Sequence, residues 1–282
     1  MALRLSVFAG TGGLVPEAIA AARAHGFAVQ VLAFSQRDDL SGVKVVSADA
    51  SRPLSLWWRL KMFGTTHILM AGGIQLSDRT RETLARFLSF FGRRKGRKPR
   101  VVSVGDQSLA RIANVLEKIT GAKVVGIHEI APNLLAPAGA IAGPVPDADD
   151  LEIADFALGV AREIGRLDIG QAVVVAGQRI LAVEDLGGTD ELLARVARFR
   201  ERGLAGDSKT SRLVLAKARK PEQPAYADLP AIGPQTISNA ARAGISIIAV
   251  EAEHSLLIDR PAIAEAAAAA SISVVGRTLG GR

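Results

Sequence analysis

Short β-compatible apolar runs alternate with amphipathic stretches along the first half of the chain. This pattern predicts strands at 3–9, 27–34, 44–47, 67–71, 100–104 and 123–127, and helices at 16–25, 52–63, 78–91 and 106–119. Strands that alternate with helices favour a parallel sheet covered on both faces. We therefore expect a Rossmann-like N-terminal domain.

The second half has a different order of elements. It begins with a helix at 151–165, and two apolar runs at 171–176 and 179–183 then follow, separated only by Gly177 and Gln178, which predicts a β-hairpin. Later elements are helices at 189–202, 235–243 and 261–270 and strands at 212–217, 246–250, 255–258 and 271–275. A hairpin among helices indicates a mixed α/β C-terminal domain.

A segment rich in Pro, Ala and Gly separates the two halves. Its prolines exclude a helix interior or a central strand, and they are Pro132, Pro137, Pro144 and Pro146. We therefore predict an N-terminal domain at 1–131, a linker at 132–150 and a C-terminal domain at 151–282.

Composition and charge narrow the chemistry. The 282 residues include no cysteine, which excludes disulfides, Cys-ligated metals and thiol nucleophiles. The net charge of +7 suits nucleic acid, anionic lipid or a phosphorylated substrate, but aromatic residues make up only 4% of the chain, which argues against nucleic acid. No apolar run is long enough to span a membrane, and we expect a cytoplasmic protein.

A glycine-rich loop follows the first predicted strand. Its residues are Gly10, Thr11, Gly12 and Gly13. Backbone N–H groups in such a loop can bind a phosphate, although a tight strand–helix turn explains the same residues. The dinucleotide-binding pattern fails, because Val15 occupies the third glycine position and the end of the second strand, residues 33–37, has no acid for a ribose hydroxyl.

Two further loops follow predicted strands, where open α/β sheets bind ligands. One ends at Gln75, and the other contains Gly105 and Asp106. Gln75 and Asp106 are candidate polar contacts to a ligand, but the spacing alone favours a helix N-cap as the role of Asp106.

The densest polar segment of the second half runs from 217 to 234. Lys217 and Lys220 are candidates to neutralise a diphosphate, and Asp228 to hold a metal or a water; a solvated turn is the alternative. Before it, Gly188 opens backbone N–H groups to an anion, while Thr189 or Asp190 is placed to cap the next helix.

A basic run occupies 93–100, next to the apolar residues 87–91. A solvated loop is the usual explanation, and contact with an anionic membrane is the other. The four histidines lack the spacing of a zinc site, and they are His25, His67, His128 and His254.

Taken together, these motifs resemble the LpxI family, the UDP-2,3-diacylglucosamine diphosphatases of lipid A biosynthesis. The resemblance runs nearly end to end and rests on the segments 9–16, 103–106, 128–129, 134–137, 168–175, 182–190, 220–221 and 228–234.

The resemblance implies a metal-dependent hydrolase that splits UDP-2,3-diacylglucosamine into UMP and 2,3-diacylglucosamine 1-phosphate (lipid X), with Mg²⁺ as the expected ion. It implies a substrate held between two domains and makes a homodimer reasonable. Peripheral contact with the inner membrane is suggested by the basic run at 93–100 and not by the resemblance. Lys217 and Lys220 would offset phosphate charge, Gln171 and Thr189 would contact substrate, and Asp190 and Asp228 would hold the metal.

The chain departs from the family in the proline-rich loop. The family pattern has an acid between the Lys-Pro element at 220–221 and the Asp-Leu-Pro element at 228–230. In this chain residues 224–227 carry no carboxylate, and Ala225 is the conspicuous position. We hypothesise that Asp belongs at this position and that the chain is an inactive or engineered form. A non-catalytic sugar-nucleotide or lipid-phosphate binding protein is one alternative, and a nicotinamide-dependent oxidoreductase is a weaker one.

Overall fold

The computed structural model describes residues 2–73, 80, 83, 106–205, 212–221 and 229–279, with only the backbone described at 106–112. The predicted strand at 100–104 lies outside these residues, as does the helix at 78–91 except for two positions. Among the described residues, one compact unit ends at Asn133 and a second begins at Leu134.

The first unit contains a parallel sheet of five described strands. They are β1 (Arg4–Ala9), β2 (Ala28–Ala33), β3 (Lys44–Ser47), β4 (His67–Ala71) and β5 (Lys123–Val125), in the order β3-β2-β1-β4-β5. This is the strand order of a Rossmann fold, and it confirms the predicted fold class. Five consecutive residues of β1 are buried because helices cover both faces of this central strand.

Four helices of the first unit lie within the described residues. They are α1 (Leu14–Ala24), α2 (Pro53–Phe63), α3 (Asp106–Thr120) and the short α4 (Ile127–Ile130). Helix α1 begins two residues before the predicted start, because a proline is tolerated in the first helical turn. Helix α2 ends at Gly64, whose φ of 69° is the left-handed conformation that glycine adopts without strain.

The second unit is built on a six-stranded mixed sheet. Its strands are β6 (Gly139–Ala142), β7 (Ala172–Ala176), β8 (Arg179–Val183), β9 (Leu213–Lys217), β11 (Ile247–Glu251) and β13 (Ser273–Arg277), in the order β6-β13-β11-β9-β7-β8. Strands β9, β11 and β13 are parallel to one another. Strand β6 pairs antiparallel with β13, β7 pairs antiparallel with β9, and β8 pairs antiparallel with β7. The predicted hairpin and the mixed architecture are confirmed. The short strands β10 (Ala231–Ile232) and β12 (Leu256–Leu257) pair separately.

Helices cover both faces of this sheet. They are α5 (Ala148–Arg166), α6 (Gly188–Glu201), α7 (Pro234–Ala243) and α8 (Arg260–Ala270). Residues of β7 alternate between the two cores, since Val173 packs with α5 and Val174 packs with α6 to α8. Within the described ranges, no helix combines the length and apolarity that a membrane span requires.

Part of the predicted linker at 132–150 is folded into the second unit. Residues Gly139–Ala142 form β6, which pairs with β13 at the edge of the described sheet, a position where flanking prolines are tolerated. Helix α5 begins within the segment, where the carboxylate of Asp147 accepts a hydrogen bond from Asp150 N at 2.8 Å. The last strand begins later than predicted, because Ser271 ends α8 with a φ of 53°.

Candidate functional site

The glycine loop after β1 is held against the loop after β4. Gly10 N donates to Ala71 O at 2.9 Å, and Thr11 N donates to Gly73 O at 3.0 Å. A Cβ atom on Gly10 would lie 2.3 Å from Gly73 O, so only glycine permits this approach. The amides of Gly10 and Thr11, which were predicted to face an anion, donate instead to backbone carbonyls.

The outer side of the glycine loop is closed by Arg37. Its guanidinium, although largely buried, donates to the carbonyl oxygens of Gly10 and Gly12 and forms a two-point ion pair with Asp39 at 2.7 and 2.6 Å. The Arg37 hydrogen bond holds the pKa of Asp39 below its ordinary value. Gly12 and Gly13 are exposed at the start of α1, where the helix N-terminus favours an anion.

The other two predicted loops are described only at their margins. Gln75 and Gly105 lie outside the described residues. Asp106 is the first residue of α3, and its side chain is likewise outside them.

A buried polar network lies at the carboxyl end of β9. Lys217 is 5% exposed, and its Nζ donates to Thr189 Oγ1 at 3.0 Å and to Ala231 O at 2.9 Å. Thr189 Oγ1 in turn donates to Glu184 Oε1 at 2.7 Å. The structure thus brings together Lys217 and Thr189, which were predicted separately, and places a cation where parallel strands present their ligand-binding ends.

Glu184 is the member of this network that the sequence did not single out. Its carboxylate is buried, and Oε2 accepts a hydrogen bond from Gln171 N at 2.8 Å. A Cβ on the neighbouring Gly170 would lie 2.5 Å from Glu184 O, so this glycine permits the close approach. The contact described for Gln171 is made by its backbone and not by its side chain. An acid that directly follows an apolar strand is the signal that could have identified Glu184.

Lys220 has a different set of contacts from Lys217. Its Nζ donates to Asp168 Oδ1 at 2.6 Å, and the pair is partly exposed. Asp168 has a φ of 57° in the turn after α5, and Gly165 leaves room for the Lys220 backbone, which a Cβ atom would approach to 3.3 Å. The ion pair therefore fixes the segment after β9 against the end of α5.

Glu251 fixes the same segment from the other side. It is buried at the end of β11, and its Oε2 accepts a hydrogen bond from Arg219 N at 2.9 Å. Two carboxylates, Glu251 and Asp168, therefore position the start of the proline-rich loop.

The candidate metal ligands are only partly described. Asp190 is exposed, and its Oδ1 accepts a hydrogen bond from Asn239 Nδ2 at 2.7 Å. Asp228 and Ala225 lie outside the described residues. Within the part of the chain that the structure describes, no three His, Asp or Glu side chains converge on one point. Since Mg²⁺ is commonly bound by one or two carboxylates together with substrate phosphates, an exposed Asp190 fits that ion.

Asp185 lies in the loop that leads into α6. Its carboxylate accepts hydrogen bonds from Arg195 Nη1 and from Gly187 N at 2.8 and 2.9 Å. The Arg195 contact holds the pKa of Asp185 below its ordinary value. The loop therefore keeps this carboxylate charged and ordered beside Gly188.

Solved structures similar to the chain include two dehydrogenases. A GalE-like L-threonine dehydrogenase from Cupriavidus necator is 13% identical, with 96% of this chain and 95% of that chain covered and a TM-score of 0.29. A short chain dehydrogenase family protein from Francisella tularensis is 15% identical, with coverages of 58% and 64% and a TM-score of 0.27. TM-scores this low carry no argument about activity.

The UDP-2,3-diacylglucosamine pyrophosphatase LpxI of Caulobacter vibrioides is 43% identical over 171 residues, which are 61% of this chain and 60% of that protein. The family model of the LpxI N-terminal domain matches residues 4–134, and that of the LpxI C-terminal domain matches residues 137–275. The chain therefore belongs to the LpxI family.

Proposed function

We propose that the chain hydrolyses the diphosphate of UDP-2,3-diacylglucosamine in lipid A biosynthesis. The products are UMP and 2,3-diacylglucosamine 1-phosphate. The observation that carries this proposal is the match of both LpxI domain models, in order and over almost the whole chain, supported by the identity to the Caulobacter pyrophosphatase.

In this reaction a water oxygen bonds to one phosphorus while the bond from that phosphorus to the bridging oxygen breaks. The water gives up a proton to the carboxylate that orients it, and negative charge develops on the departing phosphate. A fixed cation lowers the barrier by stabilising that charge, and a carboxylate orients the water. In our proposal Lys217 and Lys220 supply the cations, and Asp228 supplies the carboxylate.

The contacts of Lys217 suit this role. A buried ammonium needs a counter-charge and fixed hydrogen-bond acceptors. Glu184 supplies the counter-charge through Thr189, and Ala231 O is one of the fixed acceptors. Because these partners hold the ammonium before substrate arrives, little reorganisation is needed during the reaction.

We propose Mg²⁺ as the metal and Asp190 and Asp228 as its protein ligands. When bound, the ion would neutralise part of the diphosphate charge and polarise the attacked phosphorus. A purified chain treated with a chelator should lose UMP release and recover it when Mg²⁺ is restored. Unchanged activity after chelation would contradict the metal proposal and leave the substrate proposal intact.

The absence of a carboxylate at Ala225 raises a second candidate function. In this second candidate the acid that orients the water belongs at position 225 and is not Asp228, so the chain with Ala225 would bind the sugar nucleotide and leave it intact. Mass spectrometry of the small molecules that copurify with the chain tests substrate class directly, since a diacyl sugar nucleotide would support either function.

UMP release by the chain and by the Ala225→Asp variant separates the two functions. A gain in rate from Ala225→Asp, with none from the matched Ala227→Asp variant, supports an inactive natural or engineered form. No gain would overturn that hypothesis, and activity in the unaltered chain would assign the chemistry to Asp228. If both chains neither release UMP nor bind the substrate, the proposed function is wrong.

A further inference from the structure

Helix α2 is apolar on two opposite sides. Leu56 and Leu60 are buried in the first unit, whereas Leu54, Trp58 and Met62 are 65%, 59% and 69% exposed. The three exposed residues are spaced four apart and therefore form one stripe along the helix. We refer to Leu54, Trp58 and Met62 as the α2 stripe.

The helix that carries the α2 stripe is firmly attached to the unit. Trp57 Nε1 donates to Ile119 O at 3.0 Å, and Lys61 Nζ donates to Thr120 O at 2.9 Å. Exposure of the stripe is thus a property of the folded unit and not of a detached helix. Three large apolar side chains in a continuous row usually mark an interaction surface.

The surroundings of the α2 stripe are basic. Between Pro53 and Phe63 there is no Asp or Glu, and the exposed cations are Arg52, Arg59 and Lys61. Arg4 adds a fourth positive charge at the end of the helix, where its guanidinium donates to Phe63 O at 2.6 Å. The nearest acid before the helix, Asp49, accepts hydrogen bonds from Ser51, and its carboxylate lies 3.8 Å from Arg52 Nε, so it offsets part of the charge of Arg52.

We infer that the α2 stripe and its basic rim form a surface that adsorbs to an anionic lipid bilayer. Leu54, Trp58 and Met62 enter the boundary between headgroups and acyl chains, and Arg52 and Arg59 meet lipid phosphates. Tryptophan favours this boundary, and a helix with one apolar stripe and cationic flanks has the composition of an interfacial helix.

The charge distribution favours a lipid surface over a second copy of the chain. A symmetric dimer through α2 would place the same cations opposite one another, with no acid on the helix to compensate them. An anionic bilayer offers both the apolar interior and the opposite charge. This inference goes beyond the proposed hydrolysis, and its test measures binding and not activity.

Both tryptophans of the protein lie in α2, so their fluorescence reports on the proposed surface. We expect emission of the full chain to shift to shorter wavelength, and to be quenched by brominated acyl chains, with vesicles of phosphatidylcholine and phosphatidylglycerol in equal parts. Vesicles of phosphatidylcholine alone should give a weaker response. The Trp58→Phe variant should lose most of the spectral shift while it still sediments with the anionic vesicles.

Replacement of the α2 stripe tests the apolar part of the inference. The triple variant Leu54→Ser, Trp58→Ser and Met62→Ser should bind anionic vesicles about tenfold more weakly or worse. Leu186→Ser is the matched control, because Leu186 is fully exposed in the second unit and should have no effect. Arg59→Glu should weaken binding several-fold, and added salt should weaken it further.

Because the replaced side chains are exposed, the variants are expected to keep the circular dichroism of the parent chain. Binding of the triple variant equal to that of the parent would overturn the inference, as would equal binding to neutral and anionic vesicles. The inference would also be overturned if the parent chain did not bind vesicles and sedimented as a dimer while the triple variant was a monomer. That result would assign the α2 stripe to contact with a second copy of the chain.

Discussion

Thr189 should be a measurable source of stability because its hydroxyl links two buried charges. It donates to Glu184 at 2.7 Å and accepts from Lys217 at 3.0 Å. The Thr189→Val substitution keeps the shape and removes both bonds, which leaves a carboxylate and an ammonium each short of a partner. A hydrogen bond to a charged group contributes about 1.5–3 kcal/mol. Since Thr189 is only half-buried, water compensates in part, and we expect the free energy of unfolding to fall by about 2 kcal/mol.

Urea unfolding followed by circular dichroism measures this loss. Thr189→Ser is the matched control, because it keeps the hydroxyl and should cost less than about 1 kcal/mol. In the background of Glu184→Gln the effect of Thr189→Val should shrink, since the two changes act on one network. Thr189→Val and Thr189→Ser variants of equal stability would refute the proposed linkage between Glu184 and Lys217.

Three further predictions concern other contacts. Burial, with a smaller contribution from Lys123, lowers the pKa of His67 in the folded protein. The neutral His67 side chain therefore contributes stability above the unfolded pKa of about 6.5, and this contribution is lost as the pH falls below that value. Between pH 7.5 and pH 5.5, the free energy of unfolding should fall more for the parent than for the His67→Leu variant. Asp155→Ala removes the two-point ion pair with Arg277 and should cost at most about 1 kcal/mol, less at high salt, in thermal unfolding, because both groups are partly exposed. Gly170→Ala should cost about 1–3 kcal/mol in urea unfolding, since the added Cβ would approach a backbone carbonyl to 2.5 Å; no loss would show that the turn moves aside at little cost.

Local patterns predicted most of the described elements. The strands at 44–47 and 67–71 agree with the structure at both ends, and the hairpin around Gly177 was identified by its two-residue turn. These patterns succeed because strand alternation, helical periodicity and turn residues act between near neighbours in sequence. The edge strand β6 was missed because its proline-rich surroundings resemble a linker, and only pairing with the distant β13 makes it a strand.

In the candidate site, too, residue types could be predicted from the sequence but contacts between distant residues could not. Lys217, Thr189 and the glycine loops are visible in sequence as residue types suited to phosphate chemistry. The sequence alone did not show that Glu184 compensates the charge of Lys217 through Thr189. It also did not show that the backbone amides of Gly10 and Thr11 donate to carbonyls of a neighbouring loop.

The sequence by itself determined the class of fold, the family and the absence of thiol chemistry, because each follows from composition or from local order along the chain. The tertiary structure decided which charges are compensated and which surfaces are exposed. Those properties depend on contacts between residues far apart in sequence, such as Lys217 with Thr189, and on which side of α2 packs inward.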